Sequence, residues 1–354
     1  MPTLLAMTKG AHDPASRFRL VQWIPHLERA GWEVKHYPCR PDHMWSSSLS
    51  GHWVRALHHR TGKAVRWANR LRDINTCGSA DAVFVNRNLA GRGIFLERRL
   101  LKSNPRVIFD FDDAIFVGPG ERVAELMCRN AAWVTPGNDY LAEYARQFTD
   151  RVTVVPTVID TDRYPALPCH NRPLVRVGWS GSDQSLPTTL FPYLGMLRDL
   201  QKSFKFELVI VTNTRPILPV VDLEWRFHAW SAEDESRLGE KFDIGLMPLL
   251  DDHFQRGKCG LKLLQYMAAG LPTIASPVGV NRQITEPGVT GFLASTGTEW
   301  AQAIQNLISN PSLRIAMGAA GRQRCRNDYS VERWMPVMLF LLGRVASLPS
   351  HTIA

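Results

Sequence analysis

The sequence predicts an α/β protein built from two parallel-sheet halves, and three observations predict it. Strand-like apolar runs alternate with helical patterns almost throughout, as expected of helices layered on parallel sheets. The alternation breaks at DTDRYPALPCHNRP (160–173), which has three prolines and no hydrophobic period. The 354 residues are long for one core and ample for two. Two Rossmann-like halves joined this way are expected to face each other across a cleft at the carboxyl ends of their strands, where α/β proteins bind ligands. The expected division is 1–163, then 164–327, with 328–354 a C-terminal helix able to cross back to the first half.

In the first half TLLAMT opens as a strand, and RFRLVQWIPHLERAG (17–31) reads as one helix closed by Gly31. WEVKHYP, DAVFVN (81–86), RVIFDFDD (106–113), AAWVTP (131–136) and VTVVPT (152–157) follow as strands. Helices fall between them at 94–103, from Arg122, and at 139–147. The second half has strands in LVRVGWSGS (174–182), FELVIVT (206–212), EWRFHAW (224–230), FDIGLMPL (242–249), PTIASPVG (272–279) and GFLAS (291–295). Its helices are expected near 190–203, at 232–239, from Lys258 onward, and at 298–309. DYSVERWMPVMLFLLGRVAS (328–347) is a further helix with a heavy apolar load.

Composition narrows the class. Hydrophobic residues at 45% and charged residues at 21% describe a soluble globular chain. No apolar run approaches the ~20 residues that cross a bilayer, and the N-terminus lacks the basic leader of a secretory signal. The six cysteines show no paired spacing, which argues against disulfides and zinc and for a reducing cytoplasm. Cys169 beside His170 is the nearest approach to a ligand pair, without two further ligands in range. The net charge of +9 points to nucleic acid, an anionic membrane or a phosphorylated substrate. Within 52–72, Arg55, Arg60, Lys63, Arg66, Arg70 and Arg72 interleave with Trp53 and Trp67, which suits an anionic membrane surface or, alternatively, a solvated helix face. No nucleic-acid module signature appears.

GKCGLKLLQYMAAGLP (257–272) carries cations on a segment that otherwise reads as buried helix. On a helix Lys258, Lys262 and Gln265 fall within roughly 60° of one another, and the remaining positions are apolar. A glycine-bearing loop leads into its N-terminus, where unpaired N–H groups and the dipole attract an anion. Cations at that end are unfavourable without a counter-charge, so Lys258 and Lys262 point to a phosphate ligand; the alternative is that both reach to solvent. In VGWSGSDQS (177–185), Gly181 and Ser182 permit a tight turn with N–H groups aimed at phosphate oxygens, or form an ordinary strand-to-helix turn. In VIFDFDDAIF, Asp110, Asp112 and Asp113 emerge from a buried strand, and such close carboxylates repel unless they meet cations or share protons. They read as a catalytic cluster, one Asp accepting a proton, as holders of a divalent ion, or as structural partners of arginines. Gly10, Ser16 and Arg17 follow the first strand and would line the same cleft, unless Ser16 merely caps a helix.

GKCGLKLLQYMAAGLPTIASPVG with EPGVTGFL resembles the donor-binding segment of retaining, group-1-type (family 4-like) glycosyltransferases of the GT-B fold. The family's M-A-x-G-x-P is present as Met267, Ala268, Gly270 and Pro272, and its strand end as Val278-Gly279. The order of elements agrees along essentially the whole chain. The family's two glutamates are replaced by Gly257 and Gln265. By the resemblance, Gln265 takes the ribose-binding position, and glycine at 257 removes the contact to the donor hexose. Lys262 matches a lysine found in some branches, and the 181–182 loop faces the diphosphate. In similar enzymes the base lies against the loop after EWRFHAW, where Trp230 is placed to stack on it or to join the core.

These readings imply a metal-independent enzyme with no cofactor, transferring a sugar from a nucleotide-diphosphate sugar to a glycan or lipid-linked acceptor. The expected location is cytoplasmic, at the inner face of the membrane. The alternatives are a nucleotide-sugar epimerase or hydrolase on the same fold, and an inactive nucleotide-sugar-binding protein.

Overall fold

The computed structural model describes residues 1–10, 12–40, 52–91, 93–165 and 172–349, with backbone only for 40 and 52–63. Two units emerge, Met1–Thr157 with Trp334–Ala354, and Val158–Arg333. Cys169, His170 and most of the proline-rich break lie outside the described residues. Of the rest of that break, Thr161 and Tyr164 are buried, and Arg322 Nη2 donates to Tyr164 O at 2.8 Å.

Unit 1 holds five strands, β1 (Thr3–Gly10), β2 (Glu33–Arg40), β3 (Ala82–Asn86), β4 (Val107–Phe111) and β5 (Trp133–Pro136), in the order β2-β1-β3-β4-β5. All neighbours are parallel. β3 and β4 are buried at every position, which is why they read as unbroken apolar runs. Register sets Asn86 opposite Asp110, and Asp110 opposite Thr135, so three polar side chains share one level of the sheet. The helices are α1 (Pro14–Arg19), α2 (Ile24–Arg29), α3 (His52–Asn75), α4 (Phe95–Ser103), α5 (Glu121–Asn130) and α6 (Asp139–Arg146). The continuous helix expected over 17–31 is broken. Leu20 leaves helical geometry at φ −139°, a 3₁₀ turn covers Val21–Trp23, and Pro25 restarts the helix. VTVVPT makes a single bridge, Val152 to Val134, instead of a strand.

Unit 2 repeats the plan with β6 (Val175–Ser180), β7 (Phe206–Thr212), β8 (Trp225–Ala229), β9 (Ile244–Met247), β10 (Thr273–Ala275) and β11 (Gly291–Leu293). The order is β11-β10-β9-β6-β7-β8, again parallel throughout. One core cluster gathers Trp179, Leu208, Ile244 and Ile274 from one face of the sheet with Leu194 and Trp300 from the helices packed on it. The helices are α7 (Leu186–Thr189), α8 (Leu194–Gln201), α9 (Leu238–Lys241), α10 (His253–Arg256), α11 (Leu261–Ala268), α12 (Asn281–Ile284), α13 (Gly297–Ser309) and α14 (Pro311–Asp328). The helix expected at 232–239 is a 3₁₀ turn, Asp234–Arg237, running into α9. α15 (Val331–Ala346) belongs to unit 1 from Trp334 on. Among the described residues no helix is long and apolar enough to cross a membrane.

α14 turns part of its basic run GRQRCR (321–326) inward. The helix packs through Gly318, where a Cβ would strike Gly270 O, and Gly321, which lies against Met267. Arg322 donates to Ala268 O, and Cys325 is fully buried.

Candidate functional site

The end of β6 meets the start of α11 in unit 2. Both strand and helix are apolar enough to be driven into the sheet–helix layer, and the polar exceptions on α11 mark its working face. Lys262 and Tyr266 stand one turn apart, so they project from one side of the helix. The Tyr266 hydroxyl accepts from Ser180 N–H at 2.9 Å and donates to Leu246 O at 3.4 Å. This ties α11 to β6 and β9. Gly245 and Gly178 make room for that packing, because a Cβ at 245 would overlap the Tyr266 ring and one at 178 the Phe242 ring.

Lys262 reaches over the Trp179 ring, with Nζ 4.1 Å from the ring centroid. A Cβ at Gly181 would lie 2.6 Å from that same Nζ, so only glycine lets the ammonium pass. Lys262 is half-buried and has no carboxylate partner among the described residues. Burial first, and then the nearby charge of Lys258, lower its pKa to about 7. The Trp179 ring face offers the cation some compensation.

Lys258 is off the helix. The expectation that it shares a helical face with Lys262 and Gln265 fails because Gly260 adopts φ +70° and α11 begins only at Leu261. Lys258 sits in the preceding loop, with Nζ 4.6 Å from the centroid of Phe254. It still contributes positive potential to the mouth of α11, as its influence on Lys262 shows.

Gln265 is 3% exposed, and its Nε2 finds no hydrogen-bond partner among the described residues. An unmet buried amide donor is costly, by about 1–3 kcal/mol. The 181–182 loop divides in role. Gly181 N–H donates to Val211 O at 3.0 Å and so is already engaged. Ser182 is exposed, and its N–H has no acceptor among the described residues. Trp230 is half-buried, its backbone N–H bonded to Thr212 O at 2.9 Å. Gly257 is buried at the end of α10.

The polar residues of unit 1 form a separate assembly. Asp110 is wholly buried and accepts from Arg19 Nε at 3.0 Å and Nη2 at 2.5 Å, Asn86 Nδ2 at 2.9 Å and Thr135 Oγ1 at 2.9 Å. Four donors saturate both oxygens, so Asp110 meets the structural alternative left open by its sequence. Arg19 also donates to Val155 O at 2.7 Å, fastening α1 to the far side of the sheet. Asp112 and Asp113 both face Arg87, through Nε and Nη2 at 2.7 Å each. Burial opposes the Arg87 charge, but the two carboxylates outweigh it and hold its pKa above the ordinary value. Arg87 occupies the left-handed region at φ +64°, a strained choice for a branched-free but bulky residue. Every carboxylate of the run is met by a guanidinium.

Gly10, Ser16 and Arg17 lie where β1 gives way to α1. Ser16 is no helix cap: α1 starts at Pro14, and the buried Ser16 Oγ accepts from Gly10 N–H at 3.4 Å. Arg17 lies with its guanidinium 5.2 Å from the Phe18 ring centroid. Sequence reasoning missed Trp179, Tyr266, Arg87 and Arg19. Tyr266 had a visible signal, its spacing four residues after Lys262; Arg87 had none, since a lone arginine after a strand reads as surface.

Residues 194–310, from α8 to the end of α13, match the family model of the group 1 glycosyl transferases. Over 88 residues the chain is 32% identical to a D-inositol 3-phosphate glycosyltransferase of Pseudarthrobacter chlorophenolicus, a stretch that covers 24% of this chain and only 20% of that protein. Solved structures extend the likeness to the whole chain. A sucrose-phosphate synthase of Thermosynechococcus elongatus matches with TM-score 0.70 and 16% identity, over 98% of this chain and 100% of that one. HepE of Anabaena, solved in complex with UDP-glucose, matches with TM-score 0.68 and 15% identity, over 98% and 100%. At such identities the structures speak for the fold, and the family model speaks for the segment that contains Lys262 and Gln265. The chain thus has the GT-B fold, and residues 194–310 of its second unit are similar to the group 1 glycosyl transferases.

Proposed function

We propose that the chain is a glycosyltransferase that moves a sugar from a nucleotide-diphosphate sugar to a hydroxyl of a glycan or lipid-linked acceptor. Retention of configuration, independence of a tightly bound metal, and a cytoplasmic location at the inner face of the membrane belong to the same proposal. The observation that carries it is Lys262, a half-buried cation without an acid partner among the described residues, set against Gly181 on the helix that also carries Gln265. A diphosphate seated there supplies the missing counter-charge. As the bond to the sugar breaks, negative charge grows on the departing diphosphate, and a cation held ready in a water-poor site stabilises it without reorganising. Lys258 adds to the field, and Ser182 N–H offers a further donor. Gln265 Nε2 donates to a ribose hydroxyl, and Trp230 flanks the base. Asp112 and Asp113, kept paired by Arg87, act as acceptors for sugar hydroxyls.

Calorimetry with a panel of nucleotide diphosphates and their sugars tests the reading. One nucleotide diphosphate is expected to bind, with Lys262→Ala weakening it about tenfold or more. Unchanged affinity in that variant would remove the site. Fast donor turnover without acceptor would instead identify a hydrolase, and binding without transfer across an acceptor panel a nucleotide-sugar-binding protein.

A further inference from the structure

Unit 1 carries a face whose composition the transfer chemistry does not use. α4 buries Leu96, Glu97 and Leu100 and turns Phe95, Arg98, Arg99 and Lys102 to solvent. The spacing i, i+3, i+4, i+7 puts these four on one stripe. From the neighbouring α3, Trp67 stacks on Phe95 with centroids 5.2 Å apart and planes 23° off parallel. The two rings remain 42% and 56% exposed. Stacked aromatics at a helix–helix seam normally close over with neighbours; here they stay open to solvent, at one end of the α4 stripe of cations.

Charge on this face has one sign. The acids of the two helices are turned inward: Glu97 accepts from Leu89 N–H, and Asp73 pairs with the fully buried Arg70. The charged side chains left on the surface of α4 and the described part of α3 are Arg72, Arg98, Arg99, Lys102 and the half-buried Arg66. Arg70, counted in the sequence as part of a basic surface, is instead an internal clamp on Thr8 O, Tyr37 O and Leu89 O. The exposed cations of the ERRLLK run (97–102) on α4 take its place.

We infer that this α3–α4 face docks on an anionic lipid surface, with Trp67 and Phe95 entering the headgroup layer and Arg98, Arg99 and Lys102 holding lipid phosphates. Aromatic rings settle at the water–hydrocarbon boundary, and long cationic side chains beside them reach back to the headgroups. Each such cation adds attraction that salt screens. A purely electrostatic partner would not explain why two large apolar rings are left exposed beside the cations. The inference does not depend on the donor site of unit 2.

Flotation of the full chain with phosphatidylcholine vesicles, with and without phosphatidylglycerol, tests it. The chain is expected to float only with the anionic vesicles and to be released by salt. Arg98→Glu/Lys102→Glu should lower vesicle partitioning about tenfold or more, and Phe95→Ser should lower it several-fold while leaving the salt dependence in place. All three positions are exposed, so melting temperature and nucleotide affinity should match the parent protein. Failure to float, equal flotation with neutral vesicles, or undiminished binding by the charge-reversed variant would overturn the inference. So would displacement from vesicles by heparin or single-stranded RNA at lower concentration than by soluble phosphatidylglycerol.

Discussion

A lysine enclosed without an acid keeps its proton only where something else supplies negative charge, and Lys262 makes the empty and loaded proteins differ in charge. Its ordinary value is 10.5, and in the folded chain it falls to about 7. Between those values the unfolded chain holds the proton and the folded one does not, so this residue makes stability rise with pH across that window. A bound diphosphate restores the ammonium. Above about 7, nucleotide binding should therefore take up a proton and weaken as pH rises. Calorimetry of the nucleotide in buffers of differing ionisation enthalpy reads that uptake directly; identical heats in all buffers would contradict it, and Lys262→Arg should abolish the pH dependence. The sequence revealed Lys262 and Gln265 through their spacing and their unusual place on an apolar helix. It did not reveal that Asp110 is saturated, because its partners Arg19, Asn86 and Thr135 come from α1, β3 and β5 and meet only through sheet register.

At the level of elements, α11 shows how far periodicity reaches. Leu263, Leu264 and Met267 announce a buried helix, but nothing periodic marks where it starts. Gly260 decides that, since its left-handed φ of +70° breaks the run and sends Lys258 into the loop. A Cβ there would also strike Ile284 Cδ1 on α12. Gly260→Ala should cost about 1–2 kcal/mol from backbone strain alone and loosen nucleotide binding, by shifting the first turn that carries Lys262. A melt with and without nucleotide measures both effects, and an unchanged melting temperature would refute the assignment. α14 escaped notice for the opposite reason. It packs by closeness of backbone, through Gly318 and Gly321, and a helix that docks by glycine leaves little apolar signal to find.

For the whole molecule, the alternation of strands and helices was enough to expose two sheets of parallel strands, since each crossover needs its helix. The nucleotide groups named above all lie within Val158–Arg333. Hydrogen exchange with a nucleotide diphosphate alone should slow amides around 178–186 and 258–269 and leave β1–β5 at their free rates. Protection spread evenly over both units would argue against a donor site built from unit 2 alone. The way the chain is threaded has a consequence for its birth. Val158–Arg333 is one uninterrupted stretch, whereas unit 1 is made first and last, its Arg106 donating to Leu348 O at 2.7 Å and its Trp133 ring lying 6.0 Å from the Arg344 guanidinium. Synthesis therefore completes Val158–Arg333 before it supplies the segment that closes unit 1. A chain truncated after Arg333 should keep the donor-side contacts of unit 2 while its N-terminal half lacks the helix that packs on it.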